Sequence, residues 1–183
     1  MTGRGLAAAS ALVLAAAAPR LASAQETWLG AFAPDAHVGI ADCCFERGAD
    51  IQAGLRTAPL VSVPPYGELR LYALGSANTS GGVAFAAAGA AWRWPIGMSG
   101  LYVQPGLGGA VQFGSDARYQ VTPDRLYLGS RLLFEPELSL GWRSQGPWAV
   151  EATLVHLSHG QLAGRQNPGL DDLGLRVVYA FGR

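Results

Sequence analysis

Three polar side chains interrupt an apolar stretch near the C-terminus, in the sequence VHLSHG from Val155 to Gly160. His156 and Ser158 are two residues apart, and His159 follows directly. Histidine beside serine is the minimal pair for nucleophilic ester hydrolysis, because imidazole takes the hydroxyl proton and a carboxylate orients the imidazole. Two histidines could instead bind a metal ion. The direction of each side chain decides between these interpretations, and that direction depends on the secondary structure that holds the three residues.

The last segment of the chain, residues 173–183, has a two-residue period. Its even-numbered residues are small, apart from Val178 and the charged Arg176. Such alternation is typical of a β-strand with two different faces. The odd-numbered residues form a bulky apolar row that ends in two aromatic rings, as lipid-facing strands do at the membrane interface. The row consists of Leu173, Leu175, Val177, Tyr179 and Phe181.

About eight segments share this alternation, with turns rich in Gly, Pro, Ser or Asn between them. They cover residues 28–41, 48–57, 67–77, 83–94, 100–113, 133–143, 148–158 and 173–183. This pattern predicts an all-β fold, an eight-stranded antiparallel transmembrane β-barrel of the bacterial outer membrane. The row opposite the apolar one would place paired charges inside the barrel: Glu68, Arg70, Glu135, Glu137, Glu151 and Arg176. A soluble lipocalin-type barrel would reverse the two faces, and so many charges disfavour it.

The N-terminal segment predicts export. An apolar run follows Arg4, and the small residues Ala22 and Ala24 flank the position where a signal peptidase would cut before Gln25. The run is too short to span a bilayer. We therefore expect residues 1–24 to be a cleaved signal peptide and residues 25–183 to be a single β-barrel domain. No later segment predicts a transmembrane helix.

Composition excludes some functions and leaves others open. All 13 basic residues are arginine, and 13 acidic residues balance them, so no basic patch predicts nucleic-acid binding. Cys43 and Cys44 are adjacent, which disfavours a bridge between them, and no His or Cys at ligand spacing makes them a zinc site. We interpret them as small apolar residues of unassigned role.

The two-residue period separates the polar residues of the opening stretch. Even-numbered residues form the apolar row of segment 148–158, so His156 and Ser158 continue the lipid-facing row and His159 faces the other way. That parity disfavours a metal site built from both histidines. In the next strand the apolar row is odd, so Asp171 rather than Asp172 shares the face of His156 and Ser158. A polar group on a lipid-facing row costs free energy, which favours a functional role.

At these residues the chain resembles a known family. The sequence HLSHGQLAGRQNPGLDDLGLRVVYAF is similar to the C-terminal end of the PagL-type lipid A 3-O-deacylases, and the upstream segments GLYVQPGLGGAVQFG and LGSRLLFEPELSLGWR also resemble that family. The resemblance implies an eight-stranded outer-membrane barrel with a Ser-His-acid triad outside the barrel. It implies that Ser158 is the nucleophile, His156 the general base and Asp171 the acid, in place of the family's Glu. Asn167 and Gly160 would bind the oxyanion or substrate, and His159 replaces the family's Asn.

The function that we expect is hydrolysis of the ester-linked acyl chain at the 3-O position of lipid A, without metal or other cofactor. The partners would be lipid A or lipopolysaccharide as substrate and the surrounding outer-membrane lipids, with no nucleic acid. Arg165 is either a ligand of a lipid phosphate or a solvated loop charge. The sequence leaves a homodimer open. It also leaves open a non-catalytic small barrel, structural or adhesive, of the OmpW or opacity-protein kind.

Overall fold

The computed structural model describes residues 24–34, 36, 46–114, 126–165 and 167–181. Cys43, Cys44 and residues 1–23 of the expected signal peptide lie outside these ranges. Within them the chain forms eight long strands and one short strand. The strands are β1 (Ala24–Ala33), β2 (Asp50–Thr57), β3 (Val61–Ser62), β4 (Glu68–Asn78), β5 (Phe85–Ile96), β6 (Leu101–Gln112), β7 (Leu132–Arg143), β8 (Trp148–Leu157) and β9 (Leu170–Ala180).

The eight long strands close into an antiparallel barrel. Each pairs with its neighbours, β1 pairs with β9, and β2 pairs with β4, which closes the ring. The predicted eight-stranded fold is therefore confirmed. The bounds differ most in the first and last strands: β1 is Ala24–Ala33 instead of 28–41, and β9 is Leu170–Ala180 instead of 173–183. The other strand ends differ by no more than about two residues. The two-residue β3 pairs with β4 and was not predicted.

The barrel has an apolar outer wall and a charged interior. Outward residues such as Leu140, Leu175 and Val177 are each at least half exposed, as on a lipid-facing surface. The six charges expected inside are buried or half-buried there. Five of the six form ion pairs, which is what allows charges to be buried: Arg176 Nη1 lies 2.8 Å from Glu137 Oε2, for example. Glu135 instead accepts a hydrogen bond from the Tyr72 hydroxyl. The same wall on a soluble protein would be a very large exposed apolar patch.

The described residues contain no helix that is long and apolar enough to cross a membrane.

The two ends of the barrel differ. Short turns, residues 97–100 and 144–147, lie at the end where β1 starts and β9 finishes. Aromatic side chains lie at that end, where Trp148 packs edge-on against Tyr179 with ring centroids 4.8 Å apart. A cavity of about 360 Å³ also opens there, beside Arg93 and Arg143. At the opposite end, where the VHLSHG stretch lies, successive strands are separated by longer stretches of sequence, 34–49, 113–131 and 158–169.

Candidate active site

Strands β8 and β9 bring His156 and Asp171 together. The two residues are directly opposite each other in the antiparallel pair, so both side chains share one face. The distance between His156 Nδ1 and Asp171 Oδ1 is 2.6 Å. A carboxylate at Nδ1 keeps the proton of the neutral imidazole on that nitrogen and leaves Nε2 as a proton acceptor. The pair therefore has the arrangement of a general base and its orienting carboxylate.

This pair is more sheltered than the alternation alone predicted. The Asp171 side chain is fully buried and that of His156 is 12% exposed, although both belong to the outward row. The backbone of the acid is held by a residue after β1, since Ala36 N–H donates to the Asp171 carbonyl at 2.9 Å. The face that Asp171 shares with His156 follows from alternation, whereas the burial of its side chain does not. Shelter from water strengthens the attraction between an imidazolium and a carboxylate.

Asp172 points the other way, into the barrel. Its Oδ2 accepts a hydrogen bond of 3.2 Å from Gln52 Nε2, and the residue is buried. Successive residues of a strand face opposite sides, so the register that brings Asp171 to His156 removes Asp172 from it.

Ser158 directly follows the last residue of β8. Its N–H donates to the Phe134 carbonyl at 3.2 Å, and its carbonyl accepts from Phe134 N–H at 2.7 Å. These two bonds extend the β8 direction by one residue, so Ser158 continues the row of His156. The residue is half-exposed. Within the described part of the chain, no hydrogen bond joins the Ser158 hydroxyl to His156. Such catalytic bonds are often long before substrate binds.

The β8–β9 loop, residues 158–169, folds back towards Ser158. His159 N–H donates to Asn167 Oδ1 at 2.9 Å, and His159 Nδ1 accepts from Ala163 N–H at 3.3 Å. The His159 side chain is buried, whereas His156 and Ser158 are partly exposed. The bond from the His159 N–H therefore holds the Asn167 side chain beside the residue that follows Ser158.

Two hydrogen-bond donors of this loop matter for an oxyanion. Because only the amide oxygen of Asn167 can accept the His159 N–H, the Asn167 Nδ2 group faces away from it and keeps its own donors. Gly160 has a φ of 56°, a left-handed conformation that suits glycine. Among the described residues no acceptor takes up the Gly160 N–H.

Two further predictions concern Arg165 and a metal site. Arg165 is exposed on the β8–β9 loop. Across the described ranges, no group of three or more His, Cys, Asp or Glu side chains is arranged to hold a metal ion.

Two residues that the sequence did not indicate are Phe134 and Ala36, whose backbones bond those of Ser158 and Asp171, respectively. Phe134 belongs to the outward row of β7, and its half-exposed ring lies on the lipid side next to the serine. Alternation shows the face of a residue but not its partner on the next strand, so no sequence signal identified either contact.

Comparison with known proteins decides the family. The chain matches the family described as Lipid A 3-O-deacylase (PagL) over residues 50–180. The chain belongs to this family. Its fold is similar to the crystal structure of the outer membrane enzyme PagL, with a TM-score of 0.64 and 16% sequence identity over 85% of this chain and 99% of that one. The comparison with curated proteins gave no match.

Two further solved structures resemble the barrel more distantly. One is a de novo designed transmembrane β-barrel, with a TM-score of 0.49 and 12% identity over 86% of this chain and 94% of that one. The other is the Yersinia pestis outer membrane protein Ail, with a TM-score of 0.42 and 9% identity over 85% of this chain and 99% of that one.

Membership of the deacylase family makes the chain a carboxylic ester hydrolase of the bacterial outer membrane. The predicted family, fold, enzyme class and location are thereby confirmed. The alternative of a non-catalytic barrel of the OmpW or opacity-protein kind is not supported.

Proposed function

We propose that this barrel hydrolyses the acyl ester at the 3-O position of lipid A, with Ser158 as nucleophile, His156 as general base and Asp171 as the orienting acid. The family supports the substrate and the reaction. The observation that carries the residue assignment is the 2.6 Å contact between His156 Nδ1 and Asp171 Oδ1, on the face and at the strand end that Ser158 shares.

The reaction has two halves in this proposal. His156 Nε2 takes the Ser158 proton as Oγ attacks the ester carbonyl, and the imidazolium that forms is stabilised by Asp171. The tetrahedral intermediate then expels the 3-hydroxyl oxygen of lipid A, which receives the proton from His156. A water molecule, deprotonated by the same Nε2, attacks the acyl-enzyme and releases the fatty acid, and the proton returns to Ser158.

We assign the oxyanion donors to Asn167 Nδ2 and the Gly160 N–H. In many hydrolases the N–H of the residue after the nucleophile performs this task. Here that group, the His159 N–H, is already bonded to Asn167 Oδ1. The Asn167 side-chain amide and the Gly160 N–H are then the donors that remain for the oxyanion. Donors fixed in advance at the developing charge supply a large share of such catalysis.

The position of the site along the barrel fits a lipid A substrate. Outer-membrane barrels have short periplasmic turns and longer extracellular loops. By this rule the His156 end of the barrel meets the outer leaflet, where lipid A resides. In this proposal acyl chains lie along the outward apolar residues near the site, such as Leu154 and Leu173. Arg165 carries a guanidinium, which forms forked contacts with phosphate, and it binds a lipid A phosphate.

We also infer that residues 1–24 are removed as a signal peptide, since an outer-membrane protein must be exported. Apart from its first residue, Ala24, strand β1 then lies within the proposed mature barrel domain, residues 25–183. N-terminal sequencing of the membrane form tests this, and it should read from Gln25.

A serine-reactive phosphonate probe tests the proposed nucleophile. The folded protein in detergent should be labelled at Ser158, as read by peptide mass spectrometry. His156→Ala should lose most of the labelling, because the hydroxyl then has no base. Ser99→Ala, a change in an exposed turn at the far end, should label like the wild type. A label on any residue other than Ser158 would contradict the assignment.

A further inference from the structure

We propose that His159 is a positioning residue, whose imidazole holds the β8–β9 loop so that the Asn167 amide keeps a single orientation. The inference rests on the proposed function, because it takes Asn167 as an oxyanion donor. It gives a role to a buried histidine that the proposed chemistry itself does not use.

Among the described residues of the loop, three hydrogen bonds converge on His159. Leu162 N–H donates to the His159 carbonyl at 3.0 Å, and Ala163 N–H donates to His159 Nδ1 at 3.3 Å. The His159 N–H donates to Asn167 Oδ1 at 2.9 Å. His159 therefore connects the beginning, the middle and the end of the loop. The residue is 3% exposed, so water competes little for these bonds.

The turn held by these bonds is an unfavourable one. Gly160 and Gln161 both adopt left-handed φ values, 56° and 61°. A non-glycine residue such as Gln161 pays conformational energy in this region, and such a conformation persists only when its surroundings impose it. The bonds from Leu162 and Ala163 to His159 close that turn. Without the imidazole acceptor, one of the two bonds is lost and the turn has more freedom to change.

A change in the turn reaches Asn167 through the backbone of His159. The peptide that carries the His159 N–H is the last one before the turn, so its direction depends on the turn conformation. That N–H fixes which way the Asn167 amide points. The consequence is confined to the transition state, because the oxyanion exists only there. Loss of His159 should therefore lower kcat and leave KM nearly unchanged.

The chemistry of the contact suggests its own matched variants. Because Ala163 N–H donates to Nδ1, this nitrogen must be unprotonated, and the acceptor lone pair is what matters. In asparagine, Oδ1 is as many bonds from the backbone as Nδ1 is in histidine. His159→Asn keeps an acceptor at that place, whereas His159→Leu fills much of the space without one.

The first experiment compares kcat and KM for lipid A in detergent micelles. His159→Leu should lower kcat about tenfold, less than the 10²- to 10³-fold expected for removing an oxyanion donor outright, with KM within about twofold. His159→Asn should recover kcat to within about threefold of wild type. Equal losses in both variants would show that packing rather than the hydrogen bond matters and would overturn the proposal. Heat-dependent gel migration, which reports barrel folding, confirms that each variant is folded.

The second experiment tests whether His159 acts through Asn167. In an Asn167→Ala background, His159→Leu should cost no more than about another twofold in kcat, because coupled residues are not additive. Full additivity would overturn the positioning role. So would an Asn167→Ala variant with normal kcat. The proposed function is judged separately: if Ser158→Ala keeps its activity, that function fails, whatever the His159 variants show.

Discussion

His156 and Asp171 are 15 residues apart in the chain and directly opposite each other across β8 and β9, with 2.6 Å between Nδ1 and Oδ1. A single strand register produces this contact and at the same time sends Asp172 into the barrel. A slip of one residue would exchange the two acids, since side chains alternate between faces. The identity of the acid in the proposed triad is thus a property of the register.

The register can be tested by comparing the two acids. Asp171→Asn should lower kcat by about 10³- to 10⁴-fold, as the imidazole loses the carboxylate that sets its tautomer and stabilises its charge. Asp172→Asn is the matched control, because Asp172 bonds Gln52 inside the barrel. Its kcat should stay within about threefold of wild type. Steady-state kinetics on lipid A measures both, and the opposite order of effects would disprove this register.

Lengthening the acid should also impair the enzyme. Asp171 already reaches His156 Nδ1 at 2.6 Å, so the extra methylene of Asp171→Glu has to displace the imidazole or adopt a strained rotamer. We expect kcat to fall about tenfold or more, because displacements near 1 Å can cost up to 10²-fold. If Asp171→Glu is as active as wild type in the same assay, the site tolerates a wider spacing than the structure indicates.

Much of this architecture follows from alternation alone. The two-residue period, with apolar residues on one face of each strand and charged or small residues on the other, predicted the barrel and its charged interior. It also predicted that His156 and Asp171 share a face. Contacts that depend on loops could not be predicted in this way. The bond from Ala36 N–H to the Asp171 carbonyl and the bond between His159 and Asn167 depend on how irregular backbone folds back. The pairing of Phe134 with Ser158 depends on the stagger between strands, which alternation does not encode.

The interior ion pairs should contribute to the free energy of unfolding rather than to catalysis. Arg56 donates to both carboxylate oxygens of Glu151, at 2.7 and 2.8 Å, and its guanidinium lies over the Trp28 ring. Arg56→Met leaves the fully buried Glu151 without its bidentate partner, which should cost about 3–5 kcal/mol of unfolding free energy. The change in the exposed Arg165→Met should stay within about 0.5 kcal/mol. Denaturant unfolding in lipid vesicles, followed by tryptophan fluorescence, makes the comparison, and equal stabilities would contradict it.

Two glycines offer a second stability test with an internal control. A methyl group at Gly141 would overlap the Tyr102 ring inside the barrel, whereas nothing lies within 4 Å of one at Gly75. Tyr102 cannot move freely, because its hydroxyl donates to Glu151 at 2.7 Å. Gly141→Ala should therefore destabilise the barrel by about 1–3 kcal/mol, as overpacked cores do. Gly75→Ala should change little in the same unfolding experiment, and similar losses in both would show that the ring yields.

The proposed nucleophile, Ser158, can be tested on the products that the enzyme makes in cells. Mass spectrometry of lipid A from cells that produce the wild type, Ser158→Ala or the turn variant Ser99→Ala tests it most directly. Immunoblots of outer membranes establish that all three barrels are present and folded. We expect loss of one ester-linked 3-O acyl chain with the wild type and Ser99→Ala, and intact lipid A with Ser158→Ala. Deacylated lipid A from cells with Ser158→Ala would contradict it.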